Sequence, residues 1–304
     1  MSVVVVAGNH RARLRDCLAS VLAQEGAETL EVLVVDCASE DDDLAADFPN
    51  VRRIRPQGTL HYGEALALGV QEARAPVIAF IEEHARARPG WARALIEIHR
   101  GPWAAAACEV HSANPQLGLS DGWGLMGYGM WYPPLPPGET EFVHGYNSAC
   151  KREVLLSYGD RLPRLLLADT AFAHRLRLDG HRLVNAPGAR IEHLNETELL
   201  LPLRKNLLAH RFSAPARAEE CRWTVWRRLA YLCASPMLPL YGLWCQARRY
   251  RGRPELRLLM RILPHYVIAH LAIAAGSMMG LAFGPGDAAR KFTRLELDNR
   301  RPEA

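Results

Sequence analysis

Three consecutive polar residues, Glu82, Glu83 and His84, directly follow the apolar run PVIAFI at residues 76–81. Two carboxylates and an imidazole at one point offer hard oxygen ligands and a nitrogen, a set that can hold a divalent cation. The alternative is a solvated acidic strand end. A short, continuous apolar run is the pattern of a strand buried on both faces, and open α/β sheets bind ligands at the carboxyl ends of their strands. Two further runs end in the same way: residues 2–7 (SVVVVA) lead to Asn9, and residues 31–36 (EVLVVD) end on Asp36. The pattern therefore predicts one mouth shared by Asn9, Asp36 and residues 82–84. Farther on, Asp169 precedes a helical stretch at residues 170–178. An Asp there reads as a helix N-cap, and the same position can also present a general base. The turn after the first run, VAGNHRARL, lacks G-x-G-x-x-G, which argues against a nicotinamide-binding Rossmann oxidoreductase.

The elements that position these residues follow from periodicity. Leu14, Cys17, Leu18, Val21 and Leu22 recur at helical spacing after the first strand. Residues 51–55 read as a third strand, 62–73 as a helix, 76–81 as a fourth strand and 104–110 as a fifth. This alternation predicts an α/β fold with a mostly parallel sheet flanked by helices. Residues 112–139 form a long connection rich in Gly, Pro and aromatics, with Trp123, Tyr128, Trp131 and Tyr132, which reads as a binding loop. Residues 150–158 and 169–179 read as helical, and 181–193 as extended.

Composition bounds the rest. The chain has 304 residues, 49% hydrophobic and 23% charged, as in ordinary globular proteins, so disorder is not expected over most of its length. The net charge of +4 is too small to imply nucleic acid, and nothing else in the sequence suggests it. The seven cysteines are scattered, without Cys-x-x-Cys or metal-ligand spacing, as expected of reduced thiols in a cytosolic domain. Cys37 and Cys150, which lie near the presumed mouth, read as packing residues. The first strand begins almost at once, without the features of a signal peptide.

Five segments, in order, resemble family 2 glycosyltransferases, which have the GT-A fold: VVVVAGNHRARLRDCLASVLAQ, EVLVVDCASEDD, FIEEHARARPGW, HGYNSACKREVLLSYG and LLADTAFAHRLRLDGHRLVNAPGARIEH. The likeness covers roughly residues 1–200. It implies inverting transfer of a sugar from a nucleoside diphosphate sugar to a hydroxyl acceptor, such as a lipid-linked glycan or polysaccharide precursor. It implies that Ala7, Asn9, Asp36 and Ser39 surround the nucleoside, with Asp36 facing the base. Glu82 and His84 stand where the family has its metal-binding Asp-x-Asp, and a mixed carboxylate and imidazole set suits manganese better than magnesium. Asp169 matches the catalytic base, Asn147 lies on the acceptor side, and His193 matches a His that reaches metal or diphosphate; a lone His after a strand is equally well structural. Several positions depart from the pattern. Ala168 replaces a Glu that often precedes the base, and Leu66-Ala67 replace an Arg-Asn pair, leaving a phosphate or base contact to His61 or Arg55. Ala168 and the Glu82-Glu83-His84 triplet keep open a non-catalytic relative that binds sugar nucleotide or scaffolds an assembly at the membrane.

The composition changes near Leu203. Arginine clusters then alternate with apolar stretches at 229–245 and 262–283. The second is long enough to span a bilayer, which takes roughly 20 residues. Basic residues flank both stretches, including the link 248–261 between them, so two spans would violate the positive-inside rule. Helices lying on an anionic membrane fit better, and a basic, apolar packing or dimerisation subdomain is the alternative. The expected organisation is a GT-A catalytic domain over 1–210 and a helical, membrane-associated region over 211–304, on the cytoplasmic face of the cell membrane.

Overall fold

A computed structural model describes residues 1–37, 44–253 and 255–298. Its nine-stranded sheet is built from β1 (Ser2–Ala7), β2 (Glu31–Asp36), β3 (Val51–Ile54), β4 (Val77–Phe80), β5 (Ala85–Ala87), β6 (Ala105–Ser112), β7 (Gly138–Thr140), β8 (Ser148–Lys151) and β9 (Leu183–His193). The order is β3-β2-β1-β4-β8-β6-β9-β5, with β7 paired to β9. The first four strands read from the sequence, three of them apolar runs, are the parallel half, β3-β2-β1-β4. The other half is antiparallel wherever its register is defined: β8 against β4 and β6, and β9 against β5 and β7. The sheet is therefore mixed rather than mostly parallel.

Continuous valine runs make β1 and β2 central, because both faces of these strands are covered: every residue of β1 is buried. Helix Arg11–Leu22 covers the sheet through Leu14, Cys17, Leu18 and Val21. Helix Tyr62–Glu72 lies closer still. At Gly69 a Cβ would run into the Val4 side chain, and at Gly63 into the Pro163 carbonyl, so both glycines are there for close approach. Two sequence readings are revised. Residues 150–158, read as helix, begin on strand β8 and become helical only over Arg152–Leu156. The long connection at 112–139 contains the helix Ser120–Tyr128.

Packing divides the chain into two compact units. The first holds the sheet and comprises Met1–His111, Trp131–His193 and the described residues 296–298. The second comprises Ser112–Met130 and Leu194–Leu295 and is helical. Within it, helices Leu200–Glu220 and Leu263–Phe283 pack together at Gly276 and Gly280, where a Cβ would collide with the Leu207 and Arg211 carbonyls. Tyr250 Oη donates to the Gly129 carbonyl and Trp123 Nε1 to that of Glu198, tying 112–130 to the later helices. The apolar stretch at 229–245 is two helices, Val225–Ala234 and Leu238–Arg249, separated by a turn at Ser235–Met237 that contains Pro236. Among the described residues, Leu263–Phe283 is the one helix long and apolar enough to cross a bilayer, with a mean hydropathy of 1.7.

Candidate active site

Strand β4 ends at Phe80, and the chain leaves the sheet through Ile81, Glu82, Glu83 and His84 before β5 begins. Strand β9 runs antiparallel to β5, with His193 opposite Ala85. This register brings His193 beside the triplet from 109 residues away. His84 Nε2 lies 3.0 Å from His193 Nε2, and the Glu82 carboxylate lies 3.2 Å from His193 Nε2 and 3.8 Å from His84 Nε2. The three side chains are only 6–9% exposed. One carboxylate oxygen and two imidazole nitrogens, all within 4.8 Å of one another, form a donor set suited to a divalent cation. Neighbouring ligands at about 2.1 Å from a hard ion lie about 3 Å apart, so the spacing fits.

Asn147, immediately before β8, holds Glu82 on both sides. Its Nδ2 donates to Glu82 Oε2 at 2.5 Å, and its Oδ1 accepts from the Glu82 backbone N–H at 3.2 Å. Such a partner fixes the orientation of a ligating carboxylate. Asn147, expected on the acceptor side, thus touches the cluster itself. Glu83 points the other way, and its Oε2 accepts from the Gly8 N–H at 2.7 Å. That link between the ends of β4 and β1 carried no signal in sequence.

Asp169 is the first residue of helix Asp169–Leu178, whose N-cap is Ala168. Its Oδ1 accepts from the Thr170 N–H at 2.6 Å, Oδ2 lies 3.8 Å from His144 Nδ1, and the side chain is 32% exposed. Burial pushes its carboxyl up to about 6 against the pull of the Thr170 N–H, and the nearby Glu82 charge adds to the rise. A carboxylate tuned to this range can take a proton near neutral pH.

At the end of β1, Ala7 is buried opposite Asp36. Asp36, expected to face a base, has a fully buried side chain held by cations. Arg11 lies 3.0 Å away, Arg53 2.5 Å and Arg55 3.7 Å. Arg55, considered for a phosphate contact, thus joins the ring around Asp36. Asn9 lies at the mouth, where its side chain donates to Asp298 at 2.7 Å. Ser39 lies outside the described residues. His61 caps helix Tyr62–Glu72, its ring accepting from the Glu64 N–H at 3.2 Å. Burial raises the Cys37 thiol to about 12 and pushes that of Cys150 further up, so neither is a nucleophile at neutral pH.

Acidic and imidazole groups gathered at strand ends of an α/β sheet stand where such sheets bind their ligands. The chain belongs to glycosyl transferase family 2, whose model matches residues 2–159, and it is a glycosyltransferase. Among solved structures it is similar to the mannosyltransferase PcManGT from Pyrobaculum calidifontis in complex with GDP-Man and Mn2+. There the identity is 15% and the TM-score 0.54, over 90% of this chain and 86% of that one. It is also similar to GalNAc-T7 with UDP, GalNAc and Mn2+, at 18% identity and a TM-score of 0.53, covering 65% of this chain. The chain spans 44% of the length of that structure. At these identities the likeness concerns the GT-A fold. No curated protein matches the chain.

Proposed function

We propose that this glycosyltransferase moves a sugar from a nucleoside diphosphate sugar to a hydroxyl acceptor, with inversion at the anomeric carbon and help from a divalent cation. The observation that carries the reading is the Glu82, His84 and His193 cluster, braced by Asn147 and lying within electrostatic reach of Asp169. Glu82, His84 and His193 would hold the cation, which would neutralise the diphosphate as it leaves. Manganese is favoured over magnesium by the two imidazoles, and both neighbouring structures contain Mn2+. Their UDP and GDP-Man support a nucleoside diphosphate donor here.

Asp169 takes the proton of the acceptor hydroxyl as that oxygen attacks the anomeric carbon. The bond from that carbon to the diphosphate breaks, and its electron pair leaves with the diphosphate. Inversion follows from the family resemblance and suits a single base acting opposite the leaving group. Ala7 and Asn9 frame the nucleoside, and Asp36 acts on it by holding Arg11, Arg53 and Arg55 in place. The acceptor is a lipid-linked glycan or polysaccharide precursor, presented at the cytoplasmic face of an anionic membrane. The exposed Trp226, Trp244 and Phe283 of the second unit, interleaved with arginines, support that setting.

The test is a panel of nucleoside diphosphate sugars assayed for transfer and hydrolysis with manganese, with magnesium and with chelator. Turnover of at least one donor in manganese, abolished by chelation and by Glu82→Ala, is expected. Turnover that survives both treatments would remove the cation from the reading.

A further inference from the structure

The mouth at the end of β1 is where the proposed donor would bind, and the chain's own residues 296–298 already sit there. Helix Ala288–Leu297 ends with a last-turn carbonyl, that of Leu297, which has no partner inside the helix. It accepts from the Asn9 backbone N–H at 3.1 Å. One residue on, Asp298 Oδ1 accepts from Asn9 Nδ2 at 2.7 Å. The approach is so close that a Cβ on Gly8 would lie 2.7 Å from the Leu297 Cα, so only glycine fits under the segment. The charge of Glu296 is felt by the buried Tyr62 and Tyr146.

We propose that residues 296–298 form an autoinhibitory clasp on Asn9, which a nucleoside diphosphate must displace to bind. The inference rests on the reading that the donor binds at the end of β1. Both N–H groupings that Asn9 offers there are engaged by the segment. Glu296 and Asp298 also bring two carboxylates to a mouth already lined by Glu82 and Glu83, which opposes a diphosphate. The clasp is light. Its hydrogen bonds to Asn9 include one to the exposed Asp298 and one to the Leu297 carbonyl, and a nucleotide can replace both in kind. A closed clasp lowers apparent donor affinity by the fraction of molecules that are open.

The experiment uses the full chain and Asp298→Ala, with UDP and GDP titrated calorimetrically in manganese, and amide hydrogen exchange at Asn9 measured without nucleotide. The Asn9 amide is expected to be protected in the parent protein and to exchange faster in the variant. Nucleotide affinity is expected to tighten roughly three- to tenfold, the scale of one hydrogen bond to a charged group. An Asn9 amide unprotected in the parent protein overturns the clasp. Faster exchange with unchanged or weaker nucleotide affinity also overturns it, because the segment is then a bystander or a wall of the pocket. If exchange quickens as expected but neither protein binds nucleotide, the donor site itself lies elsewhere, and both readings fall for that separate reason.

Discussion

The Asp169 carboxylate lies inside the first turn of its helix, with Ala168 at the cap position, so its one backbone hydrogen bond is to the next residue. A capping role would tolerate Asn, which caps as well as Asp. A base would not. Asp169→Asn is therefore expected to cut turnover by roughly 10²–10⁴-fold with donor affinity nearly unchanged, and near-normal turnover would remove it from the chemistry. The pH dependence has a defined sign. The base must be ionised, and its carboxyl is raised to about 6, so turnover should be level above that pH and fall as pH drops through it. Asp36 calls for a different measurement. If it only touched a base, Asp36→Ala would weaken nucleotide binding and leave the fold alone. Because it neutralises Arg11 and Arg53 from a fully buried position, the same change should also cost on the order of 3 kcal/mol of stability, read by denaturant unfolding. Glu82 and His84 were legible because a buried strand runs straight into them. The arginines around Asp36, and the bond from Gly8 to Glu83, were not, because contacts between separate strand ends leave no local spacing to read.

At the scale of elements, β1, β2 and β4 of the parallel half were legible because strands buried on both faces are written as unbroken apolar runs. The antiparallel half was harder. Strand β8 has only four residues and passes directly into helix Arg152–Leu156, so its SACK segment merges with the helical pattern that follows. Strands β5 and β7, of three residues each, are shorter than any periodicity can reveal. Helix Ser120–Tyr128 was read as loop since SDGWGLMGY carries three glycines, whose helix propensity is poor. Glycines also give the sharpest test of the packing. At Gly63 a Cβ would meet the Pro163 carbonyl and lie 2.9 Å from the Leu167 nitrogen, backbone that cannot step aside. Gly63→Ala should destabilise the protein by about 1–3 kcal/mol, the usual cost of overpacking. At Gly127, in helix Ser120–Tyr128, a Cβ would meet nothing within 4 Å, and Gly127→Ala should instead stabilise by up to about 1 kcal/mol. Urea unfolding of both variants checks the two signs together, and equal effects would contradict the packing described for helix Tyr62–Glu72.

For the molecule as a whole, the sequence showed a change of character near Leu203 but not what the later residues do. Their helices leave large apolar side chains in solvent: Trp226 is 79% exposed, Trp244 56% and Phe283 82%. Arg227, Arg248, Arg249, Arg251, Arg257 and Arg261 are exposed in the same unit. Isolated exposed apolar residues are ordinary, but tryptophans interleaved with arginines are the composition of helices that lie in a membrane interface. Helix Leu263–Phe283 is apolar enough to span, yet it buries His265, Tyr266, Gly276 and Gly280 within its own unit, with the two glycines against helix Leu200–Glu220. A peripheral arrangement keeps those contacts. The expected behaviour is binding to vesicles containing phosphatidylglycerol and weak binding to purely zwitterionic ones, measured by co-sedimentation. Raising the salt should weaken the electrostatic part, about 1 kcal/mol per arginine near the surface, and leave the apolar part. The double variant Trp226→Ala/Trp244→Ala should do the reverse. It should keep the salt dependence while lowering affinity by roughly tenfold or more, since each buried aromatic contributes about 1.5–3 kcal/mol when fully withdrawn from water. Two independent slopes, one from charge and one from apolar area, distinguish interfacial binding from simple basic attraction. A full chain that ignores anionic vesicles at low salt would leave these tryptophans to a protein partner instead.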